Sequence, residues 1–179
     1  MIELLRKRRS IRSYTAEPVD RASIDILIEA LLRAPSSRNI NPWEFIVVDE
    51  PSLLARLAAV REHGSEFLKQ APLGIVICAD GTKSDVWVED CSIAAILLQM
   101  TALSLGLGSC WVQIRNRRHD AGGTAEAYVR SLLGLPEKIM VEAIIAIGHP
   151  AETREPLPAE ALEYAKVKHH HYARPWRKG

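Results

Sequence analysis

Apolar residues recur with helical spacing near the start of the chain. From Ile24 they lie at positions i, i+3, i+4, i+7 and i+8, which is one face of an amphipathic helix. Asp20 suits the N-cap of this helix, and Pro35 ends it. A shorter helix is predicted at the N-terminus, with Ile2 and Leu5 facing inward. The predicted inward face of the longer helix consists of Ile24, Leu27, Ile28, Leu31 and Leu32.

Four segments rich in apolar, aromatic or β-branched residues predict strands. They are WEFIVVD (43–49), LGIVICAD (73–80), SCWVQI (109–114) and VEAIIAIG (141–148). The second and fourth are apolar almost throughout, as expected of strands that are covered on both faces.

Three further helices are predicted among these strands. Pro51 opens the first, and Gly134 closes another over 124–133. The longest spans about 85–105, and its second half is apolar nearly all round. Such a helix is buried in a core or in a subunit interface. The order of elements predicts an α+β domain over residues 1–150. A tail over 151–179, without core periodicity, is expected to pack on the core or on a partner subunit.

Composition narrows the function classes. The 179 residues include 47% hydrophobic and 25% charged residues, as in one soluble globular domain. Lys and Arg total 23 against 22 Asp and Glu, so a general nucleic-acid or membrane-surface binder is not expected. The longest apolar run, 93–107, is short for a membrane span. Three cysteines cannot form a closed disulfide set, which favours a reducing, cytoplasmic location.

Metal binding is not expected from this sequence. No cysteine or histidine spacing is typical of a metal site, and the adjacent His169–His171 side chains are poorly placed to share one ion. The sequence assigns no role to this histidine run.

Three segments are candidates for chemistry. RKRRSIR (6–12) has five basic residues in seven, which suits a phosphate site, although a solvated helix end or a nucleic-acid patch would have similar composition. APSSRNINPWEF (34–45) places short polar side chains between two prolines, as in a rigid ligand-binding loop or a plain connector. GLGSCWVQI (106–114) allows close backbone approach to a ligand, or is a helix C-cap followed by a strand.

Taken in order, these segments resemble the nitroreductase family of FMN-dependent oxidoreductases. The family patterns RRSxR, APSSxNxQPWxF and GLGxxW correspond to RRSIR (8–12), APSSRNINPWEF (34–45) and GLGSCW (106–111). LLGLP (132–136) and IGHP (147–150) follow at the family's positions. The resemblance covers residues 6–150.

The resemblance implies a sandwich with a central, mostly antiparallel sheet surrounded by helices, in an intertwined homodimer. Two FMN molecules are expected at the interface, each contacted by both subunits. Arg8, Arg9, Ser10 and Arg12 are expected at the phosphate and the polar edge of the flavin, and Arg154 near the phosphate. A loop of the partner subunit and the backbone of the third strand are expected along the ring. The loop contributes Pro35, Ser36, Ser37, Asn39 and Asn41, and the strand contributes Trp111, Val112 and Gln113.

The implied activity is ping-pong transfer of electrons from NAD(P)H to a small organic acceptor, such as a nitroaromatic or a quinone. The cofactor carries the chemistry, so no catalytic side chain is assigned. A non-catalytic flavin-binding module and a specialised family activity, such as dehalogenation or flavin fragmentation, stay open. So do the acceptor and the choice between NADH and NADPH.

Two departures from the family pattern bear on the pocket. Asn41 replaces the usual Gln, which shortens a ring contact by one methylene. The segment after Trp111 is VQIRNRR where many relatives have glycine. Gln113 and Arg115 therefore either narrow the pocket or favour an anionic substrate. In the alternative interpretation, Arg115, Arg117 and Arg118 are surface charges on a loop.

Overall fold

A four-stranded antiparallel sheet forms the centre of the protein in a computed structural model that describes residues 1–177. The strand order is β1-β2-β4-β3, and every neighbouring pair is antiparallel. The strands are β1 (Trp43–Val48), β2 (Leu73–Asp80), β3 (Gly108–Gln113) and β4 (Ile139–Gly148). The helices are α1 (Ile2–Lys7), α2 (Arg21–Leu32), α3 (Pro51–Ala58), α4 (Trp87–Ser104) and α5 (Ala125–Leu133). The predicted α+β architecture is therefore confirmed.

Helices cover both faces of the sheet, and β2 is therefore buried at all eight positions. Leu57 of α3 and Val129 of α5 pack with Val76 on one face. Leu27 of α2 and Leu98 of α4 pack on the other face. Side chains of a strand alternate between faces, so β2, which is apolar up to its last residue Asp80, supplies both cores.

The predicted helix ends are confirmed by their caps. The Asp20 carboxylate accepts a hydrogen bond of 2.9 Å from the Ser23 N–H at the start of α2. Thr124 accepts one of 3.0 Å from the Ala127 N–H at the start of α5. Gly134 ends α5 in the left-handed region, with φ 67°. These caps satisfy backbone groups that a helix end leaves unpaired.

Three inward-facing predictions are wrong. Ile2, Leu5 and Leu32 are 57%, 48% and 59% exposed. Leu32 follows Leu31 by about 100° around the helix, so it turns away from the core when Leu31 is buried. The helix α1 lies outside the sheet, and its apolar residues line an open groove beside Leu157 of the tail.

The tail after Pro150 has little regular structure. Two short 3₁₀ turns lead to a small hairpin of β5 (Lys168–His169) and β6 (His171–Pro175). The His169 ring meets Trp176 edge-on at 5.5 Å, while Tyr172 is 89% exposed. Residues 178 and 179 of the predicted tail lie outside the described residues. Within residues 1–177, no helix combines the length and the hydropathy that a membrane crossing requires.

Residues 10–15 run along the edge of the sheet at β3. The Ile11 N–H donates to the Ser109 carbonyl at 3.0 Å, and the Thr15 N–H donates to the His149 carbonyl at 2.9 Å. Glycine makes this approach possible, because a Cβ at Gly108 would lie 2.8 Å from Ile11 Cγ2. The turn from α1 into the sheet is therefore fixed by β3.

We expect Gly108→Ala to lower the free energy of unfolding by about 1–3 kcal/mol, because the added methyl group overlaps Ile11. Urea unfolding measures this change. The same substitution in an Ile11→Ala background is the matched control, since the smaller side chain relieves the overlap. An equal loss in both backgrounds would contradict the steric explanation.

Candidate functional site

A basic cavity of about 240 Å³ lies where α1 ends against the start of β3. Arg8 is the C-cap of α1, and its φ of −59° and ψ of 125° turn the chain out of the helix. This turn brings Arg8 and Arg9 to the same cavity as Arg154, which follows β4. The structure therefore brings Arg8, Arg9 and Arg154 to one cavity, which Ser10 and Arg12 do not line.

Glu152 organises the cavity although it carries a negative charge. Its Oε1 accepts hydrogen bonds from the Arg12 N–H at 2.6 Å and the Ser13 N–H at 3.2 Å. Its Oε2 lies 2.6 Å from Arg154 Nη2. The Arg12 N–H bond first, and then Arg154, hold the pKa of Glu152 below its ordinary value. Glu152 therefore stays ionised and fixes Arg154 at the cavity.

The polar wall of the cavity is built from two buried side chains. Gln99 of α4 is 7% exposed and Ser109 of β3 is 6% exposed. Gln99 Nε2 donates to Ser109 Oγ at 3.3 Å. With Lys7, the cavity has four basic residues against the single carboxylate of Glu152. A phosphate monoester fits this donor set, because arginine forks match phosphate oxygens.

Of the other three residues of the RRSIR motif, Ile11 lines the cavity, whereas Ser10 and Arg12 lie apart from its wall. Ser10 pairs with Ser109 as a short parallel extension of the sheet. The Arg12 guanidinium lies over the Phe67 ring, 5.9 Å from its centroid. The structure thus brings Arg8 and Arg9 to the cavity, and it directs the Arg12 side chain along the adjoining part of the sheet edge.

The edge of β3 presents backbone groups next to this cavity. The Ser109 carbonyl accepts from Ile11, and the Gln113 carbonyl faces Arg61 Nη1 at 3.5 Å. Both carbonyls point away from β4. Trp111 lies between them at the same strand phase, so its peptide groups face the same edge. The peptide groups of Val112 point toward β4, and Val112 is fully buried.

Side-chain hydrogen bonds make this part of β3 rigid. Trp111 Nε1 donates to Gln113 Oε1 at 2.9 Å. Gln113 Nε2 in turn donates to the Arg115 carbonyl at 3.0 Å. The carboxamide of Gln113 is therefore held by both of its polar atoms.

The loop from Pro35 to Asn41 is ordered by its own contacts. Ser36 Oγ accepts from the Asn41 N–H at 2.8 Å and donates to Asn41 Oδ1 at 2.7 Å. Arg38, Asn39 and Asn41 have φ values of 52°, 55° and 53°. Non-glycine residues adopt this region at a cost, and such strain concentrates at binding sites. The loop is therefore more constrained than a connector requires.

Asp90 anchors this loop, a role that sequence reasoning missed. It is 2% exposed on α4, and its Oδ1 accepts a hydrogen bond of 2.8 Å from the Ser37 N–H. The sequence offered one sign of it, an acid at the start of an otherwise apolar helix. That pattern is equally typical of a residue that complements the helix dipole.

The loop and the basic cavity lie at opposite edges of one subunit. The loop leads into β1, whereas the cavity lies against β3 at the other edge of the sheet. They also contact different parts of α4, at Asp90 and at Leu103. These two positions are about 20 Å apart along the helix axis. The predicted site residues therefore form two separate groups within a single chain.

Comparison with known proteins gives one consistent result. The model of the nitroreductase family matches residues 5–63 and 54–149. An FMN-dependent nitroreductase from Clostridium difficile is 47% identical and superposes with a TM-score of 0.94, over 96% of this chain and 99% of that one.

Two further proteins agree with this match. FMN reductase [NAD(P)H] from Bacillus subtilis is 31% identical over 93% of this chain and 74% of its own length. NADPH:FMN oxidoreductase from Vibrio harveyi, solved with NAD⁺, is 26% identical with a TM-score of 0.79, over 96% of this chain and 77% of that one. Together with the sheet topology and the placement of the motifs, these matches show that the chain belongs to the nitroreductase family.

Proposed function

We propose that this protein uses FMN to pass electrons from NAD(P)H to a small organic acceptor, such as a nitroaromatic or a quinone, by a ping-pong mechanism. The observation that carries the proposal is the basic cavity beside the outward edge of β3. Family membership and the named relatives support FMN and NAD(P)H. When bound, FMN supplies the redox chemistry, since flavins exchange hydride with nicotinamides.

The cavity is suited to hold the phosphate of FMN. Arg8, Arg9 and Arg154 supply charged donors, and Gln99 and Ser109 supply neutral ones. A phosphate held there leaves the rest of the cofactor to extend along the edge of β3. Ser10 and Arg12 border the start of that edge, in keeping with a role at the polar side of the ring.

The ring of the cofactor would lie beside the outward backbone of β3. The N–H groups of Trp111 and Gln113 face this edge and are rigidly held, so they are suited to hydrogen-bond ring nitrogens and oxygens. Val112 supports this arrangement from within the core. We assign no proton-transfer role to any side chain.

We propose that a complete site needs two subunits. The Ser36–Asn41 loop cannot reach the cavity at the far edge of its own sheet, but a two-fold partner can present its loop there. Apolar surface for such a contact is available, because Ile93 and Ile96 of α4 are each 40% exposed. We propose that the tail, 151–179, packs on the core or on the partner. The three free, buried cysteines support a cytoplasmic location.

The visible spectrum of the purified protein, recorded with NADH or NADPH under nitrogen, tests the proposed chemistry. We expect flavin absorbance that bleaches with a nicotinamide and returns when a quinone or nitroaromatic is added. Absorbance that neither nucleotide bleaches would contradict the proposed activity and favour a non-catalytic flavin-binding module. Protein that takes up no FMN at all would contradict the cofactor assignment itself.

We expect Arg8→Ala combined with Arg154→Ala to weaken FMN binding by at least tenfold, roughly the loss of one charge-assisted hydrogen bond. Riboflavin has no phosphate, so its affinity should change little. Equilibrium titration of the apoprotein with both flavins measures the difference. Arg21→Ala with Arg33→Ala is the matched control, because both arginines are exposed on α2. Equal losses for FMN and riboflavin would contradict the phosphate assignment.

Mixed dimers test the shared site. One subunit carries Arg8→Ala and Arg154→Ala, and the other carries Ser36→Ala and Ser37→Ala. If each site combines the cavity of one subunit with the loop of the other, the mixed dimer keeps one intact site of two. We expect about half the flavin content of the native dimer. A mixed dimer that binds no more flavin than the two variant homodimers would contradict a shared site.

A further inference from the structure

Arg115 is held in one place at the end of β3. Its N–H donates to the Glu142 carbonyl at 3.1 Å, and its own carbonyl accepts from Gln113 Nε2 at 3.0 Å. The chain turns at the next residue, where Asn116 has a φ of 58°. The Arg115 guanidinium lies over the Trp87 ring, 5.9 Å from its centroid. Backbone and side chain are therefore both positioned, unlike those of an ordinary surface arginine.

The charge of Arg115 has no close counterion within residues 1–177. None of the ion pairs within 4.0 Å in this part of the chain includes it, whereas Arg38 and Arg154 each contact a carboxylate at 2.7 Å and 2.6 Å. The acid that interacts with Arg115 is Glu142, which is 5% exposed. Burial raises the pKa of Glu142, against the lowering effects of Gln113 and Arg115. A half-buried arginine that has no carboxylate within 4.0 Å among residues 1–177 is suited to bind an external anion.

The position of Arg115 separates it from the cofactor phosphate. The cavity lies at Ser109, near the start of β3, whereas Arg115 lies in the turn that follows the end of β3 at Gln113. The four residue steps of strand from Ser109 to Gln113 alone span about 13 Å. An anion at Arg115 would therefore lie at the opposite end of the β3 edge, beyond the segment that faces the ring. It must belong to a second molecule.

We propose that Arg115, supported by Trp87, binds the anionic group of a planar substrate that lies over the flavin. This inference rests on the proposed function and narrows its substrate class. The indole of Trp87 holds the guanidinium in place, and the guanidinium offers two parallel donors for the acid group of such a substrate. The acid group is either the carboxylate of an aromatic acceptor or the 2′-phosphate of NADPH, which have the same donor requirement.

Substrate pairs that differ in charge test this assignment on the holoenzyme. With NADH as donor, we expect Arg115→Gln to lower the kcat/KM ratio of 4-nitrobenzoate to 4-nitrobenzyl alcohol by about tenfold. If the 2′-phosphate is the ligand, the ratio of NADPH to NADH falls by that factor instead. Arg117→Gln is the matched control, because Arg117 carries the same charge on the same loop and is exposed. It should leave both ratios unchanged.

A binding measurement supplies a second readout without turnover. Benzoate and benzyl alcohol are titrated into the oxidised holoenzyme and followed by the shift of the flavin absorbance. We expect Arg115→Gln to weaken the binding of benzoate and to leave the binding of benzyl alcohol unchanged. For the nucleotide alternative, adenosine 2′,5′-bisphosphate is titrated instead, and its binding should weaken. If Arg115→Gln changes neither ratio and neither affinity while 4-nitrobenzyl alcohol is still reduced, the anion site at Arg115 is contradicted and the proposed function is not. A native protein whose flavin neither NADH nor NADPH reduces overturns the proposed function and this inference with it.

Discussion

The pairing of residues 10–15 with the start of β3 and with the residues after β4 is the contact on which the candidate site depends. It requires that Ile11 pass directly above Gly108, where no side chain stands in the way. The same passage puts the C-terminal end of α1 next to the residues that follow β4. Arginines 146 positions apart, Arg8 and Arg154, thereby reach one cavity. A clash at Gly108 would displace the cavity without touching any of its charged residues.

The long helix α4 connects the two halves of the site in a different way. Its N-terminal part holds the strained loop through Asp90, and its C-terminal part contributes Gln99 to the basic cavity. A rigid helix keeps Asp90 and Gln99 about 14 Å apart along its axis. The loop and the cavity of one chain therefore cannot meet. In the dimer that we propose, two antiparallel copies of the helix would bring the loop of one subunit to the cavity of the other. Such a contact would cover Ile93 and Ile96, which explains why these apolar side chains are exposed in the single chain.

Local sequence patterns predicted most of the architecture because the physics behind them is local. The 73–80 run, which is apolar up to Asp80, forms β2 with the predicted bounds, and Asp20 caps α2 as its spacing indicates. Periodicity identifies which residues share a face, but it does not show whether another element covers that face, so Ile2 and Leu5 were misplaced. Motif membership likewise brought Arg8 and Arg12 together in sequence, although their side chains diverge in the structure. The anchoring role of Asp90 needed tertiary structure, because Ser37 is 53 positions away.

The distribution of charge explains how a chain with a net charge of +1 can favour anions at its site. Basic residues gather at both ends of the β3 edge, and acids near them serve other purposes. Glu152 accepts two backbone N–H groups and orients Arg154, so its negative charge contributes to the shape of the cavity while it reduces the local potential. Burial raises the pKa of Glu142, and its carboxylate makes no ion pair within 4.0 Å with Arg115. Local burial and hydrogen bonding, rather than overall composition, therefore determine which charges remain available to a ligand.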